Sequence, residues 1–148
     1  MKEMATIYRA IADNFKPRKI SKLIVAESPP LSGRYFYLPK QPCIGFGKTI
    51  FLHEFRKAPK NVEEYYEFLV ELKKRRIFMI DIIEYPLKFK RDMRNQQLLL
   101  GNLDNLRKRI KKLNPKKVVF VLPRRSYLKE IKKRFPEAEV YTWKKYLV

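Results

Sequence analysis

The 148-residue chain contains only one cysteine, Cys43, and one histidine, His53. These counts exclude an internal disulfide, a cysteine-bound iron–sulfur cluster and an ordinary His/Cys zinc site, so neither a metal nor another cofactor is predicted. Neither residue lies in a recognisable catalytic motif, and a structural role is predicted for both. No apolar run approaches the roughly 18 residues that span a bilayer, and the first ten residues lack a signal-peptide core. A soluble, cytoplasmic protein without a membrane partner is therefore expected.

Acidic residues are also few. The chain has 35 Lys and Arg against 15 Asp and Glu, a formal net charge of +20. Residues 88–134 contain 17 basic and three acidic residues, a net charge of +14 in about a third of the chain. A one-sided field of this size favours a polyanionic partner, nucleic acid ahead of an anionic membrane surface. The alternative is a solvated surface in a very basic proteome.

Apolar residues at helical spacing alternate with short apolar runs of strand length. The helices are predicted at 4–15, 61–76, 99–113 and 126–135, and the strands in "KLIVA", "IFMIDII", "KKVVFVL" and "AEVYTW". Asn61 and Ser126 are the expected helix caps. This alternation predicts one domain over residues 1–148, a three-layer α/β/α sandwich with a four-stranded, mostly parallel central sheet. Residues 29–60 show no clear period, so they form a functional loop or contain short elements.

Charged residues follow three of the predicted strands. Glu27 follows "LIVA", Asp81 follows "IFMI", and Arg124 and Arg125 follow "VVFVLP". Open α/β sheets bind ligands beyond the carboxyl ends of their strands, so these side chains are expected to converge at one edge. The alternative for Glu27 is that it caps backbone amides in the Pro-Pro turn that follows it.

The segment "GFGKT", residues 45–49, has part of a phosphate-binding loop. Pro42 stands where the Walker pattern requires glycine, and the segment neither follows a strong strand nor opens a clear helix. A nucleotide-hydrolysing loop is therefore not predicted. A looser anion-binding role for Lys48 and the backbone of Gly45 and Gly47 remains a hypothesis.

The stretch "VAESPPLSGRYFYLP", residues 25–39, resembles the first motif of the uracil-DNA glycosylase superfamily. In patterns such as G-E-A-P-G, a strand ends in glycine, an acidic or amide residue follows, and a proline comes two residues later. Glu27 falls on the acidic position, Pro29 on the proline, and Tyr35 or Phe36 on the base-stacking aromatic that lies downstream. The other interpretation of these aromatics is that they fill the core.

Two further segments extend the resemblance over residues 20–142. "FMIDIIEYPL" is similar to the family's second strand, with Asp81 where a base-reading Asn often sits. "LDNLRKRIKKLNPKKVVFVLP" is similar to the helix and third strand that follow. The strand order of the family is preserved.

The resemblance implies hydrolysis of the N-glycosidic bond of a flipped or damaged base, with DNA a more natural partner than RNA. Glu27 would orient or activate water, Tyr35 or Phe36 would stack on the base, and Asp81 would meet its edge. The cations expected to hold phosphates are Arg34, Lys48, Arg124 and Arg125.

The sequence also departs from the family. Ala26 and Pro30 replace expected residues, and the late histidine motif and the iron–sulfur cysteines are absent. The alternative function is therefore a non-catalytic, basic DNA- or RNA-binding relative. An ionised Asp81 would only accept hydrogen bonds, which favours a base edge with an amino group, such as cytosine or adenine, over uracil.

Overall fold

A computed structural model describes residues 2–87 and 93–147, which contain one sheet of four strands. The strands are β1 (Lys22–Ala26), β2 (Ile77–Asp81), β3 (Lys117–Leu122) and β4 (Glu139–Thr142). Their order is β2-β1-β3-β4, and every pair is parallel. The four apolar runs are thus confirmed as strands of an α/β fold.

Seven helices lie within the described residues: α1 (Lys2–Asp13), α2 (Gly45–Phe55), α3 (Val62–Lys74), α4 (Met93–Gly101), α5 (Leu103–Leu113), α6 (Leu128–Arg134) and α7 (Trp143–Leu147). The chain moves from β1 outward to β2, then across β1 to β3 and on to β4. Because parallel crossovers are right-handed, α2 and α3 lie on one face of the sheet and α5 and α6 on the other. None of these helices is long and apolar enough to cross a membrane.

The strand register fixes the edge where ligands are expected. Ala26 pairs with Asp81, so β1 and β2 end side by side. The pairing continues past the strands, because the Ile82 N–H donates to the Ala26 carbonyl at 2.8 Å and the Ile83 N–H to the Glu27 carbonyl at 3.0 Å. The backbone of Glu27 is therefore held by the sheet rather than by a loose turn.

The helix α2 was not predicted, and its packing explains why. Phe51 packs against Tyr65 and Phe68 of α3 with ring centroids 4.9 and 5.3 Å apart, while another side of the helix packs against α7. A helix buried on two sides shows no apolar–polar period. Two glycines in its first turn lower its intrinsic helix propensity further.

Two other helix predictions need correction. The predicted helix 99–113 is interrupted at Asn102, whose side-chain amide donates to the Leu98 carbonyl at 2.8 Å and so competes with the helical ladder. Ser126 does not cap α6, since Tyr127 occupies the N-cap position without a side-chain cap hydrogen bond. Asn61 caps α3 as predicted, its Oδ1 accepting from the Glu64 N–H at 2.8 Å.

The hydroxyl of Tyr65 fastens α3 to the loop before α2. It donates to the Phe36 carbonyl at 2.6 Å and accepts from the Lys40 ammonium at 2.8 Å, in a fully buried position. Tyr65→Phe is expected to lower the free energy of unfolding by about 1–3 kcal/mol, because it leaves a buried acceptor and donor short of a partner. Urea unfolding measures this loss. The control Tyr66→Phe removes an exposed hydroxyl and should change it by under about 0.5 kcal/mol; equal losses in both variants would contradict the prediction.

Candidate functional site

A cavity of about 450 Å³ lies beyond the carboxyl ends of β1, β2 and β3. Glu27, Asp81 and Arg124, one from the end of each strand, line it together. The loop before α2, the first turn of α2 and Trp143 at the start of α7 complete the walls. The structure therefore brings these three predicted site residues to one place, at the edge that the parallel topology specifies.

The Glu27 carboxylate is held through one of its two oxygens. Its Oε2 accepts a short hydrogen bond from the Tyr127 hydroxyl and lies 3.8 Å from Nε of Arg124. Among the residues that the structure describes, no hydrogen-bond donor reaches Oε1, and no backbone N–H donates to the carboxylate. The structure thus gives no support to the interpretation of Glu27 as a cap of the Pro-Pro turn.

Tyr127 was missed by the sequence analysis. It is buried directly before α6, where burial and then the Glu27 carboxylate raise the pKa of its phenol. The phenol therefore stays protonated and remains a donor to Glu27. The only sequence signal for it is its position, two residues after the basic pair that follows β3.

Asp81 is 7% exposed at the floor of the cavity. The pKa of its carboxyl is raised to about 8, mainly by burial and to a smaller extent by the Glu84 and Glu27 carboxylates, while the Arg109 guanidinium opposes the shift. Asp81 also lines a second cavity of about 470 Å³ between α1 and α5, so its side chain forms part of the wall between the two.

Arg109 is committed to backbone carbonyls rather than to the Asp81 carboxyl. Its terminal nitrogens donate to the carbonyls of Asp81 and Ile82 at 2.8 and 2.6 Å, and its Nε donates to Asn105 Oδ1 at 2.9 Å. Within the described part of the chain, no donor makes a hydrogen bond to the Asp81 carboxyl. This buried acid therefore has hydrogen-bonding capacity left for a ligand.

The predicted stacking aromatics, Tyr35 and Phe36, are mainly core residues. Tyr35 stacks on Tyr8 at 4.2 Å, and Phe36 packs edge-on against Phe46 at 5.5 Å. Both line the cavity but are almost completely buried, so their ring faces offer little free surface. The core-filling interpretation of these aromatics is the one that the packing supports.

Phe46 and Trp143 are the more exposed aromatic residues of the cavity wall. Their ring centroids lie 6.2 Å apart. Neither residue was predicted from the sequence to belong to the site, although Phe46 lies inside the "GFGKT" segment considered as an anion-binding loop. They supply the aromatic surface that a planar ligand requires.

The predicted cations divide into separate groups. Arg34 donates to the carbonyls of Pro42 and Gln41 at 2.7 and 3.2 Å, so it braces the loop before α2. Lys48 and Arg125 are exposed outside the cavity, whereas Arg124 lines it. Of the four cations, Arg124 alone is placed against the candidate catalytic carboxylate.

Lys40 also lines the cavity, although no motif in the sequence marks it as a site residue. Its ammonium donates to the carbonyls of Tyr35 and Leu38 and to the Tyr65 hydroxyl. Burial lowers the pKa of Lys40 to about 8. With three acceptors in place, this lysine is a structural brace of the cavity wall.

The "GFGKT" segment does begin a helix, contrary to the sequence expectation. Gly45 is the first residue of α2, and Ile44 is an N-cap without a side-chain hydrogen bond. β1 ends at Ala26 and residues 27–44 contain no strand, so no strand leads directly into α2 and a nucleotide-hydrolysing loop has no structural support. The structural role predicted for His53 agrees with its position, where its ring stacks on Tyr146 at 3.7 Å.

The described residues define an α/β protein that brings the buried Asp81, the hydrogen-bonded Glu27 carboxylate and the half-buried rings of Phe46 and Trp143 into one cavity at the carboxyl edge of its sheet. No group of three His, Cys, Asp or Glu side chains in residues 2–87 and 93–147 could hold a metal ion. The chain matches no protein-family model and no curated protein. Its function must therefore be inferred from the geometry of the site.

Proposed function

We propose that the protein binds nucleic acid, DNA ahead of RNA, and hydrolyses the N-glycosidic bond of a flipped or damaged base in the carboxyl-edge cavity. The observation that carries the proposal is the placement of the Glu27 carboxylate beside Asp81 in a cavity of about 450 Å³. Enzymes that act on a base take it out of the helix into such a pocket. The resemblance of residues 25–39 to uracil-DNA glycosylases supports the same chemistry.

Glu27 is the proposed catalytic residue. Because Tyr127 and Arg124 hold Oε2, Oε1 is the oxygen that can accept a hydrogen bond from water. Water attacks the sugar C1′ as the bond from C1′ to the base nitrogen breaks, the base leaves with the electron pair, and Glu27 accepts the proton of the water. The carboxylate also stabilises the positive charge that develops on the sugar.

The base would be held by the walls of the cavity. Phe46 and Trp143 provide aromatic surface for it, and the buried Asp81 lies where it can meet the hydrogen-bonding edge. Stacking on aromatic side chains stabilises a bound base by about 1–3 kcal/mol and tolerates different bases. Discrimination between bases must therefore come from the polar group at the floor of the cavity, Asp81.

The nucleic-acid partner is proposed from the positive charge of α5 and α6, the helices on the face of the sheet opposite α2 and α3. We call the exposed cations of α5 and α6 the basic face: Arg107, Lys108, Lys111, Lys112, Lys129, Lys132, Lys133 and Arg134. Only Asp104 and Glu130 introduce acidic charge into these two helices. Residues 88–92 of the basic segment lie outside the described residues. A surface of this kind suits the phosphates of a nucleic acid.

A second candidate function is nucleic-acid binding without catalysis. It is favoured by the position of the single histidine, whose Nδ1 lies 2.6 Å from the Tyr146 carbonyl and which is not among the cavity-lining residues. The protein would then keep the cavity only as part of its fold.

A strand-cleavage assay separates the two functions. Labelled DNA oligonucleotides, each with one modified base, are incubated with the protein and then with alkali, which cleaves the DNA at abasic sites, and RNA oligonucleotides are tested for binding alone. Cleavage of at least one DNA substrate above a protein-free control supports base release. Binding in a gel-shift assay without cleavage of any substrate supports the second function.

Removal of the Tyr127 hydroxyl is expected to lower the rate of base release by roughly 10–100-fold, the effect of losing one hydrogen bond to a charged group. Tyr127→Phe retains the ring, so stability should change little. Affinity for the uncleaved oligonucleotide should stay near the wild-type value, because Tyr127 contacts Glu27 and is not itself a cavity-lining residue.

The matched control is Tyr141→Phe, which removes a hydrogen bond of 2.6 Å from a tyrosine to the Glu139 carboxylate at β4. It should leave the rate of base release unchanged. A wild-type rate for Tyr127→Phe would show that Tyr127 does not position Glu27.

A further inference from the structure

The carboxyl group of Asp81 lies in an unusual position for an acid. Its residue is 93% buried, and its backbone is fixed by pairing with Ala26 and by the Arg109 guanidinium on its carbonyl. Within the described residues, its side chain has no hydrogen-bond donor. A buried ionised carboxylate without donors is costly, so this geometry favours the neutral acid.

Two of the surrounding charges act in the same direction and one acts against them. Glu84 and Glu27 place two carboxylates near Asp81, and Arg9 of α1 pairs with Glu84 at 3.0 Å. The Arg109 guanidinium of α5 favours the ionised acid, but its own hydrogen bonds go to backbone carbonyls and to Asn105.

Three phenols complete the surroundings: Tyr8 of α1 and, from the loop before α2, Tyr35 and Tyr37. Burial and then the charge of Asp81 raise the pKa of Tyr8 and Tyr35. Burial also raises the pKa of Tyr37, whose hydroxyl oxygen accepts a hydrogen bond from the Met79 N–H at 2.9 Å. All three stay protonated near neutral pH, so none adds a charge to the surroundings of Asp81.

On the basis of the proposed function, we propose that Asp81 meets the base as an uncharged carboxylic acid, which selects a base edge with one donor beside one acceptor. The acid hydroxyl donates and its carbonyl accepts, so the group offers the same pair as a side-chain amide. Uracil presents such a pair at N3–H and O4, and cytosine presents it at N3 and its amino group.

This inference changes the expectation drawn from the sequence. An ionised Asp81 would disfavour uracil, whereas the neutral acid accommodates uracil and cytosine, because its hydroxyl can sit on either oxygen. Since burial raises the pKa of Asp81 to about 8, the neutral acid predominates below that pH and is lost above it. The preference for a donor–acceptor edge should therefore weaken at alkaline pH.

The test is calorimetric titration of the full chain with free cytosine and free uracil at pH 6 and pH 9; cytosine does not titrate in this interval. Wild type should bind both bases at pH 6 and bind cytosine up to about tenfold more weakly at pH 9, where about a tenth of an acid of pKa 8 stays neutral; the ionised form still accepts from the amino group but can no longer donate to N3. Asp81→Asn should bind as wild type does at pH 6 and show no loss at pH 9. Asp81→Ala should bind at least about tenfold more weakly at both pH values.

The control Asp104→Asn changes an exposed carboxylate and should behave as wild type. Circular dichroism checks that each variant is folded. If Asp81→Ala does not fold, Asp81→Asn still tests the inference. A loss of binding in Asp81→Asn at pH 6, or wild-type affinity that rises with pH, would overturn the inference. Absence of base binding at every pH would overturn it too. The strand-cleavage assay is separate: base binding with the expected pH dependence but no cleavage would contradict the proposed hydrolysis alone.

Discussion

Glu27→Gln is expected to lower the rate of base release by roughly 10²–10⁴-fold, the contribution typical of a positioned general base. Glutamine has nearly the same shape and can still accept from the Tyr127 hydroxyl, so the cavity should stay intact. It cannot accept the proton of the attacking water or carry the charge that stabilises the sugar. Single-turnover cleavage of the preferred modified oligonucleotide measures the effect.

Binding separates this loss from a general defect. Glu27→Gln removes a negative charge near Arg124, so its affinity for DNA should equal or slightly exceed that of wild type. The matched control, Glu130→Gln, removes an exposed carboxylate of α6 and should not lower the rate. A Glu27→Gln variant that releases the base at the wild-type rate would show that Glu27 is not the catalytic residue.

The strands and helix α3 could be predicted from the sequence, because the pattern of apolar residues in each segment reflects which of its sides are buried. The apolar runs of β1 and β3 are buried from both faces, and α3 exposes one side to solvent, so its apolar residues recur with the helical period. Helix α2 carries no such signal, because it packs against α3 on one side and against α7, which is distant in sequence, on another. Tertiary packing alone shows that the segment is helical.

The site could also be predicted only in part: the positions of three residues followed from the sequence, and their contacts did not. The positions of Glu27, Asp81 and Arg124 followed from one rule, since a parallel sheet gathers the residues that follow its strands. The contact of Tyr127 with Glu27 joins residues 100 apart in sequence, which no local pattern specifies. The charge state of Asp81 was also beyond sequence reasoning, because it depends on burial and on how Arg109 is bound.

The affinity for nucleic acid is expected to fall about 10³–10⁵-fold between 50 and 200 mM salt if the protein contacts 6–10 phosphates. The basic face carries eight exposed cations, of which Arg107, Lys132 and Arg134 also contact carbonyl or carboxylate oxygens of the chain. Replacement of Lys108, Lys111, Lys129 and Lys133 by glutamine should lower the slope of log affinity against log salt by about 0.9 for each lost contact with duplex DNA. Fluorescence anisotropy with a labelled duplex measures the slope.

The control carries the same change in net charge on the other face of the sheet. Lys60, Lys74, Lys144 and Lys145 are exposed at or near α3 and α7, and their replacement by glutamine should leave the slope nearly unchanged. An equal decrease in both quadruple variants would mean that the net field of +20 attracts the polyanion without a defined face. No binding of DNA or RNA at about 50 mM salt would contradict the nucleic-acid partner itself, because even non-specific phosphate contacts are strong under that condition.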